Sequence, residues 1–325
     1  MKCLSRFFVL LLCLSCGGCA TLIAHTINPD SSGSEIVDRE HIKNLGYETH
    51  QYCDSQQTCI AYLLAGERLS AESLKLKFDW DLGRNNEILF LAVQRPEEFS
   101  PLKGTVVLLH GFNMDASSMF WDATFYRYLG FQVIIPDLLG HGNSPSQYPG
   151  FGVHDAPLLA QIIEKHAVEG PVWLHGNSMG AVVALHTVQH YPKTAGLVLN
   201  APMLRFDKAV VNFVERYGPS YARWLSQETI AEGAQLLTAK AGVPIEQTAA
   251  DELLTKVPIP SLVFASAKDK VSPLDAFESV DNSLVELVQV QRLTHMGMAT
   301  IDSQQARTLE AFIRQHQQTR LVSAN

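Results

Sequence analysis

Short, largely apolar runs punctuate the chain at residues 105–109, 132–135, 172–174, 196–199, 261–265 and 285–290. An uninterrupted apolar run suits a strand buried on both faces, whereas a strand with one wet face alternates apolar and polar positions. Most of the intervening segments carry helical spacing, as in Leu158, Leu159, Ile162 and Ile163, or in Val182, Val183 and Leu185. Strands of this kind alternating with helices predict an α/β fold, with a mostly parallel central sheet flanked by helices on both faces. Two more β-type runs, 58–64 and 88–94, precede the first of them.

The rhythm breaks once. About sixty residues separate the run ending at Leu199 from the one starting at Ser261, too many for a single crossover helix. Within that interval Phe206, Val210, Val211, Phe213, Val214 and Tyr217 recur at helical spacing, and a second helical pattern runs from Thr229 to Ala241. The expectation is a helical cap inserted at 203–256, dividing the core into 41–202 and 257–325. The apolar face of the cap has two possible uses, packing on the sheet edge or lining an acyl pocket.

The N-terminus follows different rules. Lys2 and Arg6 precede an apolar stretch, Phe7–Leu14, that is too short to span a bilayer. This is the layout of an export signal, expected over residues 1–18. Gly17 and Gly18 stand before Cys19, and the arrangement resembles a bacterial lipoprotein processing site, with Cys16 as the competing position. Four of the six cysteines lie in this region. The other two, Cys53 and Cys59, are six positions apart, and in an oxidising compartment such a pair is expected to bridge a hairpin. Cys19 is then the odd thiol, which a lipid anchor would account for. Residues 19–40 include the polar, Ser/Gly-rich stretch NPDSSGSE and are expected to act as a tether. The implied location is the bacterial cell envelope, with the domain held on a membrane by lipid.

Composition removes other classes. The chain has 325 residues, 46% hydrophobic and 18% charged, enough for a large core. Its net charge is −8, with no basic block, so no nucleic-acid partner is expected. No Cys, His and carboxylate grouping has metal-ligand spacing and no phosphate-cradling loop is present, so neither a metal nor a cofactor is implied.

The chemistry centres on Gly176-Asn177-Ser178-Met179-Gly180, a G-x-S-x-G that directly follows the run 172–174 and opens a helical segment. That strand–turn–helix setting is what a nucleophile elbow needs, because glycines on both sides let the backbone bend sharply and leave the Ser Oγ exposed. His110-Gly111-Phe112 follows the run 105–109, and Gly140-His141-Gly142-Asn143-Ser144 lies just after Asp137. With these motifs, residues from about 105 to 315 resemble the α/β-hydrolases, and within them the monoglyceride-lipase and lysophospholipase-like branch. The resemblance departs at Asn177 and Ala181, where that branch usually has His and Gly; both positions neighbour the nucleophile and bear on the shape of an acyl pocket.

The resemblance implies backbone N–H groups of Phe112 and Met179 as the oxyanion hole. It also implies a triad in the order Ser, acid, His. Asp269, in the loop after the run 261–265, and His295, beyond the last apolar run, stand where this fold puts its acid and base. Asp275 and Glu278 are nearby acids. His110, His141 and His175 are expected to bond loop backbones, and Asp137 and Asp155 to order loops, Asp155 also capping the helix that begins near Ala156. The function implied is a serine hydrolase that cleaves acyl esters, of lipid-like substrates such as a lysophospholipid or monoacylglycerol, through an acyl-enzyme. Other outcomes of the same triad are amide or peptide hydrolysis and acyl transfer; an inactive, envelope-anchored interaction module is the non-enzymatic alternative.

Overall fold

The apolar runs form the parallel strands of one sheet, the last of them, 285–290, at its edge. The structure is a computed structural model that describes residues 18–29, 39–68, 70–81 and 86–323. Most of the expected export signal, Cys16 included, and part of the expected tether lie outside the described residues.

The sheet has the order β1 (Glu48–Cys53), β2 (Cys59–Ala65), β6 (Gln132–Pro136), β5 (Thr105–Leu109), β7 (Val172–Asn177), β8 (Thr194–Asn200), β9 (Ser261–Ser266) and β10 (Val285–Val290). From β6 to β10 every pairing is parallel, while β1 and β2 are antiparallel at one edge. Alternation along β5 explains why its sequence is apolar throughout. Val107 and Leu109 enter one buried cluster, and Val106 and Leu108 enter a second on the other side of the sheet. On the first side lie α4 (Asp155–His166) and α5 (Met179–His190). On the second lie α3 (Phe120–Leu129) and α10 (Ser303–Ser323).

Two strands escaped the reading of the sequence. β1 reads ETHQYC and is mostly exposed, so it carries no apolar run. It is an edge strand aligned by its partner, with Cys53 opposite Cys59 in the register and the two joined by a disulfide. A loop this short is stabilised by about 2 kcal/mol in the chain-entropy account. The run 88–94 belongs to β4 (Asn86–Gln94), which pairs with β3 (Ser73–Asp81) in a separate hairpin. Ser303 Oγ donates to the Phe90 carbonyl and accepts from the Ala92 N–H, tying that hairpin to α10.

Between β8 and β9 the chain forms α6 (Phe206–Tyr217), α7 (Gln227–Lys240) and the short α8 (Ala250–Leu254). Ser226 caps α7, its Oγ accepting from the Thr229 N–H at 3.2 Å.

The beginning of the expected tether differs. Gly18–Ile27 is a helix, α1, packed on α7. Ala20 and Ala24, one turn apart, are buried, and Ile23 lies so close to Gly233 that a Cβ there would collide with it. Small residues at helical spacing give α1 a flat face, and Gly233 gives α7 the matching hollow. The polar composition of 28–35 concealed this face. Among the described residues, no helix is long and apolar enough to cross a membrane.

Candidate active site

Ser178 sits at the turn between β7 and α5 with φ 51° and ψ −111°. A non-glycine residue in this region is strained by about 1–3 kcal/mol, so the surroundings must hold it there. They do so through the backbone: the Ser178 N–H donates to the Asn200 carbonyl at 2.9 Å, and the Ser178 carbonyl accepts from Ala181 and Met203. The flanking glycines are required by close approach. A Cβ at Gly176 would strike the Gly180 carbonyl, and one at Gly180 would strike that of Leu109. Any side chain at either position would push the elbow off the sheet.

His295 Nε2 lies 3.1 Å from Ser178 Oγ, and His295 Nδ1 lies 2.7 Å from Asp269 Oδ2. Both partners of that second bond are buried. The other oxygen of Asp269 accepts from the N–H groups of Val271 and Ser272, at 2.7 and 2.9 Å. Three donors thus fix the carboxylate, and its orientation fixes the imidazole. Ser178, Asp269 and His295, far apart in the chain, are therefore joined in one hydrogen-bonded line. Asp275 and Glu278 lie instead in the short helix α9 (Asp275–Glu278).

The loop bearing His295 is held from several elements that the sequence did not single out. The Thr294 N–H donates to Glu87 Oε1 of the β3–β4 hairpin at 3.0 Å. The Ile301 N–H donates to Asp122 Oδ1 at 3.0 Å, the Trp121 indole donates to the Ile301 carbonyl, and the Asn177 amide donates to the Ala299 carbonyl. Asp122 had a visible signal: it falls on the apolar face of α3, three and four positions before Phe125 and Tyr126. Its burial pushes the carboxyl up to about 7.

This shift has a sign. Between the unfolded value of 3.8 and about 7, the folded chain keeps a proton that the unfolded chain has lost. Stability from this group therefore falls as pH rises through that window. Asp122→Asn keeps the oxygen that accepts from Ile301 and removes the ionisation. Its melting temperature relative to the unsubstituted protein is expected to improve from pH 5 to about pH 7 and to level off above that. A constant difference across that range, measured by thermal denaturation, would contradict the assignment.

The remaining expected residues separate by role. His110 donates through Nδ1 to the Gly111 carbonyl and accepts at Nε2 from the Leu138 N–H, ordering two loops, and His141 Nδ1 bonds the Leu139 carbonyl. Burial lowers both imidazoles, His141 to about 3. His175 does not bond a loop backbone. It lies inside β7, where Nδ1 meets the Tyr126 hydroxyl at 3.0 Å, and burial lowers it to about 3. Asp137 accepts from the N–H groups of Ala116 and Asn143. Asp155 accepts from those of Leu139 and Gly152, so it orders the preceding loop and does not cap its own helix.

Gly111 brings its loop against the elbow; a Cβ there would stand 3.7 Å from Ser178 Cβ. The Phe112 ring packs on Phe206 and Phe151, with centroids 4.9 and 6.0 Å apart, which anchors the loop. Met179 is the first residue of α5, where an N–H has no carbonyl one turn back within the helix.

Ser178 and His295 open onto a cavity of about 390 Å³. One face of α6 supplies much of its wall through Phe206, Val210, Phe213, Val214 and Tyr217. The cap stripe thus faces a cavity beside the serine, while Phe206 and Val210 of the same stripe also belong to the buried cluster on that side of the sheet. No Asp, Glu, Lys or Arg stands in the lining of the cavity. No group of three or more metal-ligating side chains occurs among the described residues.

Residues 100–232 match a family described as serine aminopeptidase, S33. A thermostable monoacylglycerol lipase of Bacillus sp. is 27% identical over 228 residues, covering 63% of this chain and 87% of that protein. Lipase LipV of Mycobacterium tuberculosis is 30% identical over 173 residues, covering 53% of this chain and 64% of its own length. Among solved structures, an esterase of Pyrococcus furiosus superposes with a TM-score of 0.59 at 15% identity, covering 89% of this chain and 97% of the esterase. The chain has the α/β-hydrolase fold. Within that fold it is a serine hydrolase of the lipase and esterase kind. Ser178, Asp269 and His295 stand beyond the carboxyl ends of β7, β9 and β10, where open α/β sheets offer their crevice.

Proposed function

We propose that this hydrolase cleaves acyl esters of lipid-like substrates, such as a monoacylglycerol or a lysophospholipid, through a covalent acyl-enzyme on Ser178. The hydrogen-bonded line from Ser178 Oγ through His295 to Asp269, opening onto an apolar cavity, carries this reading.

Each step assigns a group. Ser178 Oγ attacks the ester carbonyl while His295 Nε2 takes its proton. The imidazolium that forms is stabilised by Asp269, which also keeps the other ring proton on Nδ1. Negative charge grows on the carbonyl oxygen, and the Phe112 and Met179 N–H groups receive it at the amino end of α5, whose dipole favours an anion. His295 then protonates the departing alkoxide, breaking the ester C–O bond and leaving the acyl group on Ser178. Water, deprotonated by His295, releases the carboxylic acid.

The uncharged lining favours an acyl chain over a peptide with a free α-amine, since holding an ammonium calls for a carboxylate in the pocket. The same chemistry suits a membrane-side location, and we assign Cys19 as the lipidated residue. It is a free, half-buried thiol at the start of α1.

The test uses protein exported and processed in a bacterial host. A fluorophosphonate probe is expected to modify Ser178, the N-terminal peptide to begin at a diacylglyceryl-modified Cys19, and monoacyl glycerol esters to be cleaved in preference to amino-acid anilides. Folded protein that neither reacts with the probe nor cleaves any ester would sink the enzymatic reading. An unmodified N-terminus would sink only the anchor.

A further inference from the structure

The cavity beside Ser178 is not built by the core and the cap alone. Thr26 and Ile27, the last two residues of α1, stand in its lining together with Phe206, Val210 and Val214 of α6. Ile27 also packs against the buried cluster that contains Phe206, Val210 and Ile230. Helix α1 is therefore part of the wall around the reacting groups, although it precedes the first strand of the sheet by some twenty residues.

Its position is held at both ends of its contact. Ala20, Ala24 and Ile23 seat it on α7, where the absence of a side chain at Gly233 allows Ile23 and the Ala20 carbonyl to come close. Just beyond the helix, the Asn28 amide donates to the Gln147 carbonyl at 3.1 Å, and Pro29 is buried. A segment serving only to connect an anchor to a domain needs none of these contacts. Ala20, Ile23, Ala24 and Ile27 follow i, i+3, i+4, i+7 spacing, so the face that docks on the cap ends at the residue that reaches the cavity.

We infer that α1 is a specificity element: the Ile27 side chain bounds the space for the substrate's acyl chain, and the chain-length preference of the hydrolase is set jointly by the anchor-proximal helix and the cap. The inference rests on the ester-hydrolase reading and specifies which residues select its substrate. Eight residues of helix, about 12 Å at 1.5 Å per residue, separate Cys19 from Ile27. The lipid attachment point and the acyl pocket thus share one short rigid segment.

The experiment compares kcat/KM for p-nitrophenyl esters from acetate to palmitate in the full chain and three variants. Ile27→Trp fills the cavity, and the palmitate-to-acetate ratio is expected to fall at least about tenfold, the order of effect that one or two methylenes have in an apolar pocket. Ile27→Ala enlarges the same space and is expected to move the optimum towards longer chains. Gly233→Leu acts from outside the cavity by lifting α1 off α7, and is expected to flatten the length profile; it tests the helix without altering a lining residue. Length profiles that match the unsubstituted protein in all three variants, or losses equal across every ester, would overturn the inference while leaving the hydrolase reading intact. An unsubstituted protein that cleaves none of the esters overturns both, and probe labelling of Ser178 separates the cases.

Discussion

Ser178→Ala is expected to lower kcat for ester hydrolysis by about 10⁴- to 10⁶-fold, with the melting temperature nearly unchanged. The size follows from the loss of the covalent route: without Oγ, the His295–Asp269 pair has no nucleophile to deprotonate, and only pocket binding and the oxyanion donors remain. The retained fold follows from the geometry of the elbow. Its hydrogen bonds to Asn200, Ala181 and Met203 all use Ser178 backbone atoms, and alanine carries the same Cβ at the same positive φ. Activity that survives the substitution at more than a few per cent, measured as initial rates on a medium-chain ester, would remove Ser178 from the mechanism.

Asp269→Asn should be nearly as damaging, about 10⁴-fold in kcat, for a different reason. The Oδ1 atom accepts from Val271 and Ser272, so an asparagine here keeps its carbonyl oxygen towards those donors and turns its NH₂ towards His295 Nδ1. The imidazole must then present a lone pair at Nδ1 and carry its proton on Nε2, facing Ser178 as a donor. In that tautomer it cannot take the serine proton. Because Asp269 does not line the cavity, KM should move little while kcat collapses. A variant with unchanged kcat, or one whose loss lies mainly in KM, would show that Asp269 does not orient the base.

The contrast between α4 and α1 shows how far local pattern reaches. The stripe Leu158, Leu159, Ile162 and Ile163 is broad and uniformly apolar, so it announces a helix against the sheet, and all four side chains are buried there. The stripe on α1 also has four members, but half of it is alanine, and it stands beside a polar stretch that reads as linker. Its helical state is stabilised by docking on Gly233 rather than by its own composition. β1 is a similar case. Six mostly exposed residues become a strand because β2 supplies hydrogen bonds and Cys59 supplies the covalent closure.

Asp122 and Glu87 show the limit for the site itself. Each bonds a backbone N–H in the loop that carries His295, across separations of 179 and 207 residues. Glu87 carries no local mark of its partner, and the place of Asp122 on the apolar face of α3 marks it as buried without saying which loop it meets. His175 makes the same point: its neighbours in the sequence suggested a loop contact, while the register of β7 turns it towards Tyr126.

The sequence by itself determined the alternation of buried strands and helices, the elbow around Ser178, and the chain order in which an acid and a histidine follow it. These features are set by residues within a few positions of one another, through side-chain periodicity and the need for glycine at close backbone approach. Tertiary structure alone decided which carboxylate meets His295, what holds the histidine loop, and that the helix after Cys19 closes part of the cavity. Those outcomes depend on pairings between segments far apart in the chain, whose free energy comes from burial and from hydrogen bonds that exist only once the layers have packed.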